Sequence, residues 1–270
     1  MENQKKSNNH LKHWEAPLDR TVEDAYQEHL RRRASKGKTI SFGWRPLMVS
    51  VASAAAVILA VIMIWPDKPL IQQMAAFGET KVVVLPDGSK VTLSPGSEVQ
   101  YASDFQDERT IEMKGMCYFD VIPGSRFSVV TAMGVVDVLG TTFDVLQRDT
   151  LLNVGCYTGK VRVTSGNQKV ELLPGSSAHK EGKQLIVQEM QSETPSWTDG
   201  LLLFEDVPAS MVIDELERQF SVTIQADDAF KRKKYTGSFR NDNLEDALQS
   251  VLLPLGATYV VHGKTIEVRP

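Results

Sequence analysis

The sequence predicts a single-span membrane protein whose exported part is an all-β domain, sandwich- or solenoid-like, followed by a small α+β lobe made of a duplicated βαβ element. Three observations predict it. From Leu47 to Trp65 the chain runs 19 residues without a charge. Between 78 and 188 short β-rich runs alternate with turn dipeptides, and no helical period of useful length appears. After Trp197 strand and helix patterns alternate, and two stretches match at an offset of 35 residues.

Composition removes several classes. Of 270 residues 42% are hydrophobic, too many for wholesale disorder. Two cysteines make neither a disulfide scaffold nor a Cys-rich zinc module. A net charge of −4 argues against a general nucleic-acid coat, so no nucleic-acid partner is expected.

Residues 1–45 read as a cytoplasmic tail with one short amphipathic helix. Thr21 with Asp24 resembles a capping box. Val22, Ala25, Tyr26, His29 and Leu30 then share one helical face, and Trp14 and Leu18 continue the apolar rhythm upstream. Residues 46–66 read as a transmembrane helix. The 19 uncharged residues reach roughly 28 Å as a helix, close to the bilayer's hydrocarbon thickness. Trp44 and Trp65 stand at its two interfaces, and Pro46 and Pro66 bracket it. Arg31, Arg32, Arg33, Lys36, Lys38 and Arg45 precede the span while only Lys68 follows closely, which places the N-terminus in the cytoplasm. Counted by compartment, the tail carries +4, the span is neutral and residues 66–270 carry −8.

Residues 67–77 read as a linker and 78–188 as the all-β domain. Lys81–Leu85 and Lys90–Leu93 flank the turn Pro86-Asp87-Gly88. Phe127–Thr131, Val135–Leu139, Phe143–Leu146, Leu152–Tyr157 and Lys160–Thr164 are further β-rich runs. Cys117 and Cys156 fall in this domain, on the oxidising side. Two readings stay open for them, a disulfide or two strand-buried thiols.

Residues 197–270 form the lobe. Leu201–Phe204 reads as a strand, and Pro208 opens a helix with Met211, Val212, Leu216 and Phe220 on its apolar face. Ser221–Gln225 and Tyr235–Arg240 are strands, and Asn243 caps a helix carrying Leu244, Ala247, Leu248, Val251 and Leu252. Ala257–Val261 and Thr265–Val268 close as a hairpin around His262-Gly263-Lys264. In the repeat, Phe204, Leu216 and Phe220 match Phe239, Val251 and Leu255.

Catalytic signatures are missing from the sequence. No two glycines are spaced two apart, no P-loop or nucleophile elbow occurs, and no His/Cys spacing suits a metal. No cofactor, metal or enzymatic activity is expected; binding and signalling are.

The β domain resembles the FecR family of membrane-bound anti-sigma regulators. The matching stretches are Leu85-Pro86-Asp87-Gly88-Ser89, Arg109 with Gly115, Tyr118-Phe119-Asp120-Val121, Phe127-Ser128-Val129, Val138-Leu139-Gly140-Thr141-Thr142-Phe143-Asp144-Val145 and Gly159-Lys160-Val161. The C-terminal segment, with Trp197, Phe204, Tyr235-Thr236-Gly237 and Phe239, is similar to the signalling-like domain that ends many such regulators. The resemblance implies a bacterial inner-membrane protein with a periplasmic C-terminus. It implies a relay from the signalling domain of an outer-membrane TonB-dependent transporter to an extracytoplasmic-function sigma factor, through regulatory proteases. Trp14, Leu18, Val22, Tyr26 and Leu30 are then the candidate sigma contacts, and Trp197, Phe204, Tyr235 and Phe239 mark the partner-binding lobe. The resemblance also makes Gly140-Thr141 a candidate self-cleavage bond; a strand kink at Gly140 followed by a buried Thr141 is the favoured reading. The alternative function is a membrane-anchored binding module for envelope or glycan components. The tail is shorter than the family's usual cytoplasmic region.

Overall fold

The computed structural model describes residues 69–269 apart from Asp107 and Gln191. The expected tail 1–45, with Trp14, Leu18, Val22, Tyr26 and Leu30, and the expected span 46–66 lie outside the described residues. Among the described residues no helix is long and apolar enough to cross a membrane.

Thirteen strands build the β domain. They are β1 (Leu70–Met74), β2 (Lys81–Val84), β3 (Lys90–Leu93), β4 (Glu98–Ala102), β5 (Arg109–Asp120), β6 (Phe127–Val130) and β7 (Val135–Val138). There follow β8 (Thr142–Arg148), β9 (Leu151–Cys156), β10 (Val161–Ser165), β11 (Gln168–Leu172), β12 (Ser176–Glu181) and β13 (Gln184–Glu189). They form two sheets that share β5. One runs β1-β4-β5-β6-β7-β10-β11 and the other β2-β3-β5-β8-β9-β12-β13. The first half of β5 pairs with β4 and, in parallel, with β6. Its second half pairs antiparallel with β3 and β8.

Both sheets turn their inner faces to one core that includes Val91, Val99, Ile111, Phe119, Phe127, Phe143, Val154 and Val163. Phe119 stacks on Phe143, its cross-strand partner, with ring centroids 4.8 Å apart, and meets Phe127 edge-on. The architecture is therefore the sandwich. A solenoid stacks parallel coils, and here every pairing in the domain except β5–β6 is antiparallel.

The crease between the sheets runs across three strands. Ala75 N–H donates to the Ser97 carbonyl at 2.9 Å, and Met116 N–H donates to Ser97 Oγ at 2.9 Å. Gly115 lies at the crease with φ +99°, in the left-handed region that L side chains avoid. A Cβ at Gly115 would stand 2.7 Å from Ser97 Cα, so both the backbone angle and the space demand glycine.

Two expectations are corrected here. The linker 67–77 contains β1, so the domain begins near residue 70; Leu-Ile-Gln-Gln-Met alternates too weakly to announce a strand. The disulfide reading of Cys117 and Cys156 gives way to the thiol reading, since both are free and buried. Cys117 sits on β5 and Cys156 on β9, with β8 between them. Two strand spacings of about 4.8 Å exceed the Cα separation a disulfide spans. Burial pushes both thiols up, Cys156 to about 12, which leaves them inert at neutral pH.

The lobe opens with a 3-10 turn at Ser196–Asp199 and continues β14 (Leu201–Pro208), α1 (Ala209–Phe220), β15 (Thr223–Gln225), α2 (Asp228–Lys231), β16 (Lys234–Arg240), α3 (Leu244–Leu252), β17 (Thr258–His262) and β18 (Thr265–Arg269). The repeat is visible in space. β14 pairs antiparallel with β16, and Leu203 lies opposite Ser238, its own equivalent 35 residues on, so a local dyad passes between them. The strands flanking each helix fall in different sheets, because β15 pairs in parallel with β18 and β17 closes the hairpin on β18. The order strand-helix-strand therefore holds twice, while a single-sheet βαβ crossover does not form. Asn243 caps α3 as expected, its side chain accepting from Glu245 N–H at 2.9 Å.

Replacing Gly115 by alanine is expected to cost about 3 kcal/mol, from the left-handed angle together with the clash at Ser97. Equilibrium urea unfolding against a Gly166→Ala control, which meets nothing within 4 Å, measures the steric part.

Candidate functional site

The outer face of the second sheet is where the lobe docks. Met116 and Tyr118 alternate outward on β5, and Leu146 stands opposite Met116 on β8. All three pack into the lobe's own core beside Trp197 and Leu216. Around this apolar contact lies a buried polar network. Arg148 of β8 pairs with Glu215 of α1, and both side chains are more than nine-tenths buried. Arg148 Nη2 also donates to the Pro95 carbonyl at 3.1 Å, and Arg218 Nε reaches Glu215 at 3.1 Å. Gln219 donates to Glu215 Oε1 at 2.8 Å and to Ser94 Oγ at 3.2 Å, and accepts from Asn241 at 3.0 Å. The Gly78 N–H closes the ring of contacts on the Arg218 carbonyl at 2.8 Å.

Sequence reasoning missed this network. The face of α1 that is buried carries Val212, Ile213 and Leu216 together with Glu215 and Gln219, while Met211 and Phe220 lie at its margin. Two polar residues four apart beside an apolar stripe are the signal that was available.

Asp144 on β8 occupies the same joint. Its Oδ1 accepts from the Tyr157 hydroxyl and from Gly155 N–H, each at 3.1 Å. Burial pushes the carboxyl up to about 6, against the pull of Tyr157, Trp197 and Gly155. The indole N–H of Trp197 is buried near this carboxylate without reaching hydrogen-bond geometry, so its pull is electrostatic rather than a formed bond.

Trp197, Phe204, Tyr235 and Phe239, expected to mark the partner-binding lobe, are gathered in its core. Phe204 stacks on Phe239 at 5.5 Å, and the Tyr235 hydroxyl donates to the Ser250 carbonyl at 3.1 Å. They set the lobe's shape, and Leu203 between them on β14 is what faces outward.

Gly140-Thr141 sits at one end of the sandwich, against the segment 121–124. A Cβ at Gly140 would stand 2.5 Å from Pro123 Cα. Thr141 exchanges backbone hydrogen bonds with Val121 at 3.1 and 3.2 Å, and its hydroxyl donates to the Lys160 carbonyl at 3.1 Å. The segment 121–124 is held from its other side by Arg109, whose guanidinium donates to the Ile122 carbonyl at 3.0 and 3.2 Å, pairs with Asp87 at 3.2 Å and lies over the Phe127 ring. Packing against Pro123 accounts for the glycine, and the buried Thr141 hydroxyl has a backbone acceptor.

Two outcomes are expected at the joint. Glu215→Ala leaves Arg148 buried without its partner and costs about 3–5 kcal/mol in urea unfolding, whereas Arg148→Met with Glu215→Met recovers most of that loss. Asp144 carries a raised pKa in the fold, so its stabilisation is present at low pH and lost as pH rises through about 6. Relative to Asp144→Asn, the protein should therefore gain about 1 kcal/mol between pH 7.5 and pH 5, read from unfolding curves at both pH values.

The comparisons with known proteins agree with one another. The FecR protein family matches residues 74–162, and the FecR C-terminal family matches 201–268. Two crystal structures of a candidate anti-sigma factor from Parabacteroides distasonis ATCC 8503, at 2.50 and 1.65 Å resolution, are similar at 29% identity. The first has a TM-score of 0.68 and shares 74% of this chain with 99% of that one; the second has 0.67, with 73% and 98%. No curated protein matches the chain. With both of its domains present in order, the chain belongs to the FecR family.

Proposed function

We propose that the chain is an anti-sigma regulator of an extracytoplasmic-function sigma factor. The observation that carries this reading is the likeness, over nearly the whole length of that chain, to the candidate anti-sigma factor of Parabacteroides distasonis. The charge-free stretch Leu47–Trp65 and the cations before it support a single pass through the inner membrane, N-terminus inside. On this reading the β domain and lobe are periplasmic. The lobe receives the signalling domain of a loaded TonB-dependent transporter, and regulated proteolysis passes the signal inward. The lobe's free sheet edges suit such a partner: β17 pairs only with β18 among the described residues, and a strand added there gains backbone hydrogen bonds. No step requires catalysis by this chain.

In the tail, Trp14, Leu18, Val22, Tyr26 and Leu30 are the proposed sigma contacts, since aromatic anchors on one helical face suit an apolar groove. Full-length protein co-expressed with the sigma factors of its host should retain one of them on purification. Trp14→Ala with Tyr26→Ala should reduce that retention at least tenfold without changing the amount of regulator in the membrane. A tail that retains no sigma factor overturns the direct anti-sigma reading.

A further inference from the structure

The strands β1 and β2 together form one free edge of the sandwich. β1 pairs only with β4 and β2 only with β3, so the outward backbone groups of both have no strand partner among the described residues. Ala75 joins the two halves through its hydrogen bonds to Ser97 and Gly96 at 2.9 and 3.1 Å. Five of the eleven exposed large apolar side chains among the described residues lie along this edge: Leu70, Met74, Phe77, Val82 and Val84. Val82 and Val84 are 61% and 63% exposed, and the other three about half. Edges are ordinarily blunted by lysine, proline or a bulge. β1, Leu-Ile-Gln-Gln-Met, contains none of these and no charge at all; its one side-chain cap is Lys81 of β2, which donates to the Met74 carbonyl at 3.4 Å.

We propose that the β1 edge is a dimer contact, pairing antiparallel with the same strand of a second copy of this chain. Three arguments favour a second copy. A bilayer surface covers apolar side chains but cannot pair the strand's outward N–H and C=O groups, which another strand does. Antiparallel pairing centred on Gln72 sets Leu70 beside Met74 of the partner and Gln72 beside its own copy on the exposed face, and Ile71 beside Gln73 on the other, so the two largest exposed apolar side chains of β1 meet and no like charges face each other. Finally, residues 67–69 are all that separate β1 from the expected span at 46–66. That tether of about 13 Å holds the edge of every copy near one plane, where two edges meet side-on. The pairing stands on the edge itself and needs neither the sigma factor nor the transporter.

Cysteine cross-linking of the full-length chain in mild detergent tests it. Residues opposite each other in an antiparallel pair have Cα atoms about 4.5–5.5 Å apart, within disulfide reach. Gln72→Cys should therefore cross-link under mild oxidation at least tenfold faster than Lys183→Cys, which lies on the β12–β13 turn. The native Cys117 and Cys156 are buried and give no background. Adding Leu70→Lys and Met74→Lys should abolish the Gln72→Cys cross-link and leave a monomer in sedimentation, with the circular dichroism spectrum unchanged because both side chains are about half exposed. Equal rates at the two cysteines, a dimer that survives the lysine pair, or a monomer at every concentration of the unaltered chain would each overturn the proposal.

Discussion

One strand organises both domains of the described chain. β5 runs through both sheets, and its residues take up a different task at each step. Arg109 at its start clamps the loops 86–89 and 121–124; Gly115 makes the crease; Met116 and Tyr118 form the seat of the lobe; Phe119 lies at the centre of the core. Positive φ at Gly115 permits the strand to change sheet without breaking its ladder, because pairing moves from β4 and β6 to β3 and β8 within a residue or two. A sandwich folded over a shared strand has a continuous core and needs no separate packing of sheet on sheet to define its register.

The joint between domain and lobe is of mixed character. Met116, Tyr118 and Leu146 give it an apolar centre. The buried pair Arg148–Glu215 gives it a polar tie, in which each charge compensates the hydration the other loses on docking. Asp144 adds a proton-linked element at the same place, as its buried carboxyl is easier to keep neutral than charged.

Much of this fold was legible in the sequence, and the parts that were not share a cause. Turn dipeptides located the strands they bracket: Pro86-Asp87-Gly88 joins β2 to β3, and Asn243 caps α3 through its side chain. β1 carries adjacent glutamines and exposes Leu70 and Met74, and β11 carries Gln168, Lys169 and Glu171 around one valine, so neither alternates clearly. β5 is masked differently. Its central Met-Lys-Gly-Met-Cys looks like an interruption and is the crease. In the lobe, Glu215 and Gln219 read as solvent-facing because their burial depends on Arg148 and Ser94, 67 and 125 residues away in the chain. Pairing across such distances leaves no local periodicity to read.

The duplicated lobe shows why sequence repetition alone understates structure. Two strand-helix-strand units at an offset of 35 could stand side by side as independent βαβ crossovers. They interlock instead, because Leu203 lies against its own equivalent Ser238 and the first strands of both units share one ladder. Each unit thereby covers the other's apolar helix face, with Leu216 and Val251 in a single core. A unit of this size cannot bury enough surface alone, and the dyad is what lets two of them do so. The bulge between Phe204 and Val207, with Asp206 at φ 48°, ends the symmetric register and turns the remainder of β14 toward Tyr235. From that point the two units differ: α1 presents Glu215 and Gln219 to the β domain, so its copy became the polar anchor, while α3 adds Ala247, Leu248, Val251 and Leu252 to the lobe's core.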